Sequence, residues 1–225
     1  MTHEFIAYSD REALVIALAG RLASDLRGQL SRQDRVALAL PGGTSPGPVF
    51  DDLCGVDLAW DRVDVLLTDE RWVSEDSPRS NTRLLRERLM VDKAAAAHLL
   101  PLYRDDMDCD AAAEALADRI EPVLPLGVVL MGMGTDRHTA SIFPGADRLD
   151  EALSPRAPTL VPMRAPGADE PRVTLSAQVL NGALCKHVLI FGRDKREALE
   201  GARGLKSTDA PINAVLDGAT VHWAE

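Results

Sequence analysis

His138 is the residue of this sequence best suited to acid–base chemistry near neutral pH. It follows the turn Gly132-Met133-Gly134 at the end of an apolar run, and Asp136 precedes it by two residues. An imidazole can take a proton from water, and a nearby carboxylate can hold its tautomer or raise its basicity. A lone histidine is more often structural than catalytic, so the pair Asp136 and His138 enters as a hypothesis for the activation of water.

A second segment, residues 41–46 with the sequence Pro-Gly-Gly-Thr-Ser-Pro, lies between an apolar run and a predicted helix. Glycine lets the backbone approach a ligand closely, and the N–H groups at a helix start attract anions. Ser45 is suited to cap that helix and Pro46 to occupy its first turn. The alternative is a tight turn without a ligand. The predicted phosphate-binding residues of this loop are Gly42, Gly43 and Thr44.

Charged side chains stand at the ends of three other apolar runs. Asp69, Glu70 and Arg71 come just past one run, Arg172 opens another, and Lys195 follows a third. Each could be a solvated surface group. The formal net charge is −10, from 25 Lys and Arg against 35 Asp and Glu, and a field of that sign repels polyanions such as nucleic acid. An anionic small molecule would therefore need a local cluster of cations and backbone N–H groups.

The apolar runs and the helical stretches between them define the elements that must position these residues. Leucine recurs at every fourth position from Leu14 to Leu30 and predicts a helix over 11–30 with one buried face. Asp194 and Glu197 have the spacing of a capping box and predict a second helix that ends near Gly201 or Gly204. The predicted strands, several of them buried and parallel, span residues 36–40, 63–67, 126–131, 159–163, 173–175 and 188–191.

Alternation of strands and helices predicts an α/β fold, doubly wound, with a mostly parallel sheet and helices on both faces. A chain of 225 residues with 46% hydrophobic side chains suits one domain, so we expect a single domain over 1–225. In such sheets ligands bind beyond the carboxyl ends of the strands. The candidate residues all lie at such positions, which favours one shared site.

Several classes of protein are not expected. The five histidines, at positions 3, 98, 138, 187 and 222, lack the spacing of metal ligands, and a G-x-S-x-G nucleophile motif is missing, so neither a metal nor a serine nucleophile is predicted. The three cysteines are widely spaced, which suits a reducing compartment. Because no basic leader and no run of about 20 apolar residues is present, we expect a cytoplasmic protein away from membranes. The oligomeric state stays open and is compatible with a monomer.

Four segments together carry a resemblance to a known family. They are residues 41–46, residues 68–73 with Ser80-Asn81, residues 132–145, and Arg172-Val173-Thr174-Leu175. Their order and spacing resemble the 6-phosphogluconolactonase family, which shares a fold group with the glucosamine-6-phosphate deaminases. The run His-Thr-Ala-Ser-Ile-Phe-Pro-Gly from position 138 is the most specific part, and the resemblance extends over nearly the whole chain.

The resemblance implies a modified Rossmann-like fold and hydrolysis of 6-phospho-D-glucono-1,5-lactone in the oxidative pentose phosphate pathway, without metal or cofactor. His138 is then expected to be the general base. Asp69 or Asp136 would orient His138 or the substrate hydroxyls, and Arg71 would contact the phosphate or the oxyanion; the sequence leaves these roles open. The residues expected to hold the phosphate are Gly42, Gly43, Thr44, Arg172 and Lys195.

Two alternatives remain open. A deaminase of the same fold group is expected to carry an Asn-Glu pair shortly after the histidine, where this chain has Ile142 and Phe143. Loss of that glutamate removes an acid–base group needed for ring opening, whereas lactone hydrolysis needs only a base for water and stabilisation of an oxyanion. A non-catalytic sugar-phosphate-binding module would bind the same ligand without turnover.

The chain departs from the family pattern at position 137, where glycine is expected and Arg137 stands. If the backbone there has a positive φ, a non-glycine residue costs about 1 kcal/mol or more. Alternatively, Arg137 has an ordinary conformation and adds a cation near the phosphate. The sequence does not decide between these two.

Overall fold

A computed structural model describes residues 2–166 and 168–225 and shows two β-sheets. The strands are β1 Glu4–Ala7, β2 Val36–Leu40, β3 Val63–Leu67, β4 Asp69–Arg71, β5 His98–Leu100, β6 Val128–Gly132, β7 Leu160–Met163, β8 Arg172–Leu175, β9 Cys185–Phe191 and β10 Thr220–Ala224. The α-helices are α1 Arg11–Leu30, α2 Gly47–Cys54, α3 Asn81–Arg88, α4 Cys109–Ile120, α5 Leu149–Ala152, α6 Ala177–Asn181 and α7 Arg193–Glu200.

The larger sheet has the order β1-β10-β9-β6-β2-β3-β5, and all its strand pairs are parallel. From β2 the chain moves outward to β3, and from β6 it moves in the opposite direction to β9. The connections that leave β2 and β6 therefore diverge, which opens a crevice at the carboxyl ends of these two neighbours. The predicted fold class, a mostly parallel doubly wound sheet with helices, is confirmed.

Helix α1 forms where the leucine periodicity predicts it. Asp10 caps its start, with Oδ1 accepting a hydrogen bond from the backbone N–H of Ala13 at 2.8 Å. The leucines at positions 14, 18, 22, 26 and 30 are all buried. Burial of each is worth about 1.5–3 kcal/mol, so tertiary packing dominates the stability of this helix. Among the described residues, no helix is long and apolar enough to cross a bilayer.

The smaller sheet, in the order β4-β8-β7, is antiparallel throughout. The predicted strands at 159–163 and 173–175 exist, but as β7 and β8 they belong to this sheet and not to the parallel one. Segment 69–71 is not a solvated turn, because as β4 it pairs with β8 and buries Asp69 and Glu70. Its register places Asp69 opposite Thr174 and Arg71 opposite Arg172, which brings charges far apart in sequence to one place.

Both predicted caps at helix starts are wrong. Helix α2 begins at Gly47 with Pro46 as the residue before it, and the Ser45 side chain makes no capping bond. Helix α7 begins at Arg193 after Gly192, whose φ is 84°, so Asp194 lies inside the first turn and does not cap. The sharp glycine turn replaces the side-chain cap, and Asp194 still places a negative charge at the positive end of the helix. The predicted end of α7 near Gly201 is confirmed.

Candidate active site

A cavity of about 270 Å³ opens at the carboxyl ends of β2 and β6. Its walls come from the loop after β2, the loop after β6, the charged strands β4 and β8, and the start of α7. Eight of the nine residues predicted for the site line it. They are Gly42, Gly43, Thr44, Asp69, Arg71, His138, Arg172 and Lys195.

The ninth residue, Asp136, touches the site through His138. Its Oδ1 lies 2.5 Å from His138 Nδ1 and also accepts from the His138 backbone N–H at 3.2 Å. The hydrogen bond with His138 lowers the pKa of Asp136, so this carboxyl group is ionised at neutral pH. An ionised Asp136 at Nδ1 favours the tautomer with its proton on Nδ1, which leaves Nε2 as the basic nitrogen. Of the two aspartates, Asp136 is therefore the one that contacts the imidazole.

The loop that carries this pair has an unusual backbone. Arg137 has φ 70° and Ala140 has φ 48°, both in the left-handed region. At Gly134, a Cβ atom would overlap the imidazole of His138 and the carboxylate of Asp136. The turn closes through a hydrogen bond from Gly134 N–H to the carbonyl of His138 at 3.1 Å. Position 134 must therefore be glycine, because a larger residue would push Asp136 and His138 out of their contact.

Arg137 follows the first of the two alternatives stated above. Its positive φ is real, and its Nε donates to the carbonyl of Ala198 in α7 at 3.2 Å. The side chain therefore turns toward α7 and does not line the cavity, so the second alternative, an ordinary conformation with an extra cation near the phosphate, does not apply. Packing against α7 and the hydrogen bond offset the conformational cost of the non-glycine residue.

The glycine loop presents unpaired backbone donors to the cavity. Gly43 has φ 87°, and a Cβ at Gly42 would overlap the Asn81 side chain, so both positions need glycine. In the part of the chain that the structure describes, the N–H groups of Gly43, Thr44 and Ser45 donate no hydrogen bond. Free N–H groups at the entrance of α2 suit an anion.

Three cations converge on the same cavity. Arg71 and Arg172 are neighbours across β4 and β8, and the Nε atoms of both are buried without a hydrogen-bond partner among the described residues. Burial lowers the pKa of Arg172 and of Lys195, and neither forms an ion pair with any described residue. Arg71 Nε lies 3.9 Å from Glu170 Oε1. Buried, unpaired donors of one sign are costly, and they favour an anionic ligand at this place.

Comparison with known proteins decides the family. The family model for glucosamine-6-phosphate isomerases and 6-phosphogluconolactonases matches residues 9–223. This chain belongs to that family.

Relatives within the family are similar over almost the full length. A 6-phosphogluconolactonase of Mesorhizobium japonicum is 41% identical, with 99% of this chain and 96% of the relative covered. One of Rhizobium meliloti is 38% identical over 96% of this chain and 97% of its own. The crystal structure of a 6-phosphogluconolactonase from Shewanella baltica superimposes with a TM-score of 0.95 at 30% identity, covering 100% of this chain and 98% of the other.

Asp69 of this family member is fixed by partners to which the sequence pattern assigned no role. Ser141 Oγ donates to its Oδ2 at 2.6 Å, Thr68 Oγ1 donates to its Oδ1 at 3.0 Å, and Asn81 Nδ2 donates to its backbone carbonyl at 2.9 Å. Ser141 lies 72 residues from Asp69 in sequence, so no local pattern could pair them. Asp69 makes no hydrogen bond with His138, and it lines the cavity as a residue whose carboxylate is held in place.

Glu70 is a second residue whose role only the structure reveals. It is 0% exposed and accepts hydrogen bonds from the backbone N–H groups of Arg71, Asn81 and Thr82 at 2.7–2.8 Å and from Ser80 Oγ at 3.1 Å. Its carboxylate thus satisfies the free donors at the start of α3. This joins β4 to α3 and so holds Asp69 and Asn81 at the cavity wall.

Proposed function

We propose that this chain hydrolyses 6-phospho-D-glucono-1,5-lactone to 6-phosphogluconate, with His138 as the general base that activates water. Full-length similarity to proteins named 6-phosphogluconolactonase confirms lactone hydrolysis as the activity predicted from the sequence. The observation that supports the residue roles is one cavity lined both by His138, which contacts Asp136, and by Arg172, Lys195 and the backbone N–H groups of the glycine loop, which lack hydrogen-bond or ion-pair partners among the described residues.

The reaction divides between two ends of the cavity. The phosphate binds to the free N–H groups of the glycine loop and to Arg172 and Lys195, where the unpaired donors lie. A phosphate dianion at this place accepts the hydrogen bonds that these donors otherwise lack. This local attraction overcomes the repulsion from the net charge of −10. The lactone ring then extends toward His138. Asp69 accepts hydrogen bonds from the sugar hydroxyls, and Arg71 contacts the phosphate or the developing oxyanion.

Hydrolysis proceeds in two proton transfers. His138 Nε2 takes a proton from water as the oxygen attacks C1, and a tetrahedral oxyanion forms. Collapse of this intermediate breaks the bond between C1 and the ring oxygen. The ring oxygen then takes from Nε2 the proton that came from water. Asp136 keeps the Nδ1 proton in place and stabilises the imidazolium between the two steps. The product is the open hydroxy acid, whose carboxyl group ionises in solution.

The two alternatives lose support at His138. Phe143, at the position where the deaminase resemblance predicts a glutamate, places an apolar ring 4.2 Å from the imidazole. A ring at that place supplies no second acid–base group for isomerisation. The binding-module alternative gives no role to the His–Asp pair, although one nitrogen of this pair is free in a ligand cavity.

The cytoplasmic location, the single domain over 1–225 and the absence of nucleic-acid partners remain parts of the proposal. The three unpaired cysteines support a reducing compartment.

The test is the rate of acid release from freshly generated 6-phosphoglucono-1,5-lactone, with and without the protein, in the presence of EDTA. We expect acceleration far above the spontaneous rate that the chelator does not change. A coupled ammonia assay with glucosamine 6-phosphate runs in parallel, and we expect no ammonia. Ammonia release, or lactone binding without acceleration, would reject the proposal in favour of the deaminase or of the binding module.

A further inference from the structure

The ring of Phe143 contacts two of the residues that line the cavity, His138 and Arg172. Its centroid is 4.2 Å from that of the His138 imidazole with an angle of 35° between the planes, and Arg172 Cζ lies 5.3 Å from the same ring. Phe143 is partly buried and packs against the hydrophobic core. One aromatic side chain thus contacts both the proposed base and a proposed phosphate ligand.

The position of Phe143 is set by the loop that carries His138. Thr139 and Ile142 form an isolated antiparallel bridge, with Ile142 N–H donating to the Thr139 carbonyl at 3.0 Å. Thr139 Oγ1 donates to the Gly132 carbonyl at 2.9 Å, and Ile142 is completely buried. The chain therefore turns back on itself within five residues and returns Phe143 to the imidazole.

His138 needs a second restraint. Its side chain is 29% exposed and that of Asp136 is 52% exposed, and an ion pair so open to solvent is held only weakly. Such a contact alone would let the imidazole turn away from a productive orientation. Packing on a fixed aromatic ring removes this freedom without adding a polar group that competes for Nε2.

Arg172 also needs a restraint beyond its polar contacts. Its Nε is buried without a hydrogen-bond partner among the described residues. A guanidinium over an aromatic face gains attraction from the ring quadrupole, which offsets part of the cost of burial. The ring fixes the direction of the cation before the phosphate arrives.

We propose that Phe143 is a positioning residue that holds His138 and Arg172 at a fixed separation, so that phosphate bound at one end presents the lactone carbonyl to the base at the other. This inference rests on the roles proposed above for His138 and Arg172. It predicts that loss of the ring lowers kcat through His138 and raises KM through Arg172.

The experiment compares Phe143→Leu with Phe143→Tyr in the lactone assay. The leucine variant keeps most of the apolar volume but loses the flat ring, and we expect kcat/KM to fall about tenfold, shared between kcat and KM. The tyrosine variant keeps the ring and should stay within about twofold of the wild type. Phe143→Met is the second non-aromatic variant should leucine prevent folding, and thermal unfolding checks each protein.

Two further measurements separate positioning from general damage to the fold. In a His138→Asn background, Phe143→Leu should no longer lower kcat but should still weaken inhibition by inorganic phosphate, since the two effects act through different partners. Phe5→Leu is the matched control, because Phe5 also lies beside an aromatic ring, Trp223, and a cation, Arg196, but outside the cavity. It should leave kcat and KM unchanged.

Wild-type kcat and KM in the leucine variant would overturn the inference, as would an undiminished loss of kcat in the His138→Asn background. Failure of the proposed function looks different, because the wild-type protein itself would then not accelerate lactone hydrolysis.

Discussion

Histidine and aspartate contact each other both at the cavity and in a buried hydrogen-bonded chain, but the two arrangements differ in their expected role. At the cavity, His138 contacts Asp136 through Nδ1 alone. Outside the cavity, Tyr8, His222, His187 and Asp25 form a second hydrogen-bonded group, called here the buried histidine chain. Tyr8 Oη lies 2.8 Å from His222 Nδ1, His222 Nε2 lies 3.1 Å from His187 Nδ1, and His187 Nε2 lies 2.9 Å from Asp25 Oδ2.

The difference lies in the number of nitrogens left free. In the buried histidine chain every ring nitrogen has a partner, and an ionised Asp25 as the last acceptor orders the protons from Tyr8 to Asp25. His222 is 1% exposed, and burial lowers its pKa to about 4, so it is neutral at pH 7. His138 keeps one nitrogen, Nε2, without a partner among the described residues, beside a cavity. A His–Asp contact therefore indicates catalysis only when a free nitrogen faces a place for substrate.

The largest effect is expected from His138→Asn. Loss of the general base should lower kcat by about 10²–10⁴-fold in the acid-release assay while KM changes little. The matched control is His98→Asn, because His98 also contacts an aspartate, Asp64, at 2.9 Å but is 60% exposed and lies outside the cavity. Near-normal turnover in His138→Asn would remove His138 from the mechanism.

The buried histidine chain should affect stability and not turnover. Because the pKa of His222 is about 4 in the folded protein and 6.5 ordinarily, the unfolded state binds more protons between these values. The stabilisation is complete above pH 6.5 and is lost as the pH falls toward 4, by on the order of 3 kcal/mol. The other charged or titratable groups that face His222 are His187, Arg21 and Asp25, with Tyr8 as its hydrogen-bond partner.

Urea unfolding at pH 7 and at pH 4.5 measures this loss. His222→Gln should reduce the difference between the two pH values, whereas His98→Asn should keep it. An equal difference in all three proteins would assign the pH dependence to other groups.

Arg172→Gln tests the anion-binding side of the cavity. Removal of a charged hydrogen-bonding partner costs about 1.5–3 kcal/mol, so KM should rise about ten- to hundredfold with a smaller change in kcat. Arg137→Gln is the control, since its guanidinium binds the Ala198 carbonyl and points away from the cavity. Equal KM values for the two variants would contradict the proposed phosphate site.

The smallest effect is expected from Asp136→Asn. The amide cannot stabilise an imidazolium, and it can present its own donor to Nδ1 and so favour the wrong tautomer. We expect kcat to fall about tenfold, less than for His138→Asn, because the contact is half exposed to solvent. The measurement is the loss of kcat in Asp136→Asn relative to that in His138→Asn. A larger loss in Asp136→Asn would require a direct role for the carboxylate.

Helix α1, the buried parallel strands and the segments that resemble the lactonase family could be predicted from sequence, because each depends on neighbours within a few residues. The leucine period specifies the buried face of α1, and short aliphatic runs specify strands β2, β3, β6 and β9. Motif order likewise identified the family and eight residues that line one cavity.

Tertiary structure alone decided which sheet each strand joins and which partner each charge takes. Strands β7 and β8 contain short apolar runs like those of the parallel strands, whereas β4 is a charged segment. Strand β8 joins the antiparallel sheet by pairing with β7 nearby and with β4 about a hundred residues away. The bond from Ser141 to Asp69, the turn of Arg137 toward α7 and the burial of His222 all depend on contacts between distant segments. Their free energies come from packing and desolvation, which a local pattern does not encode.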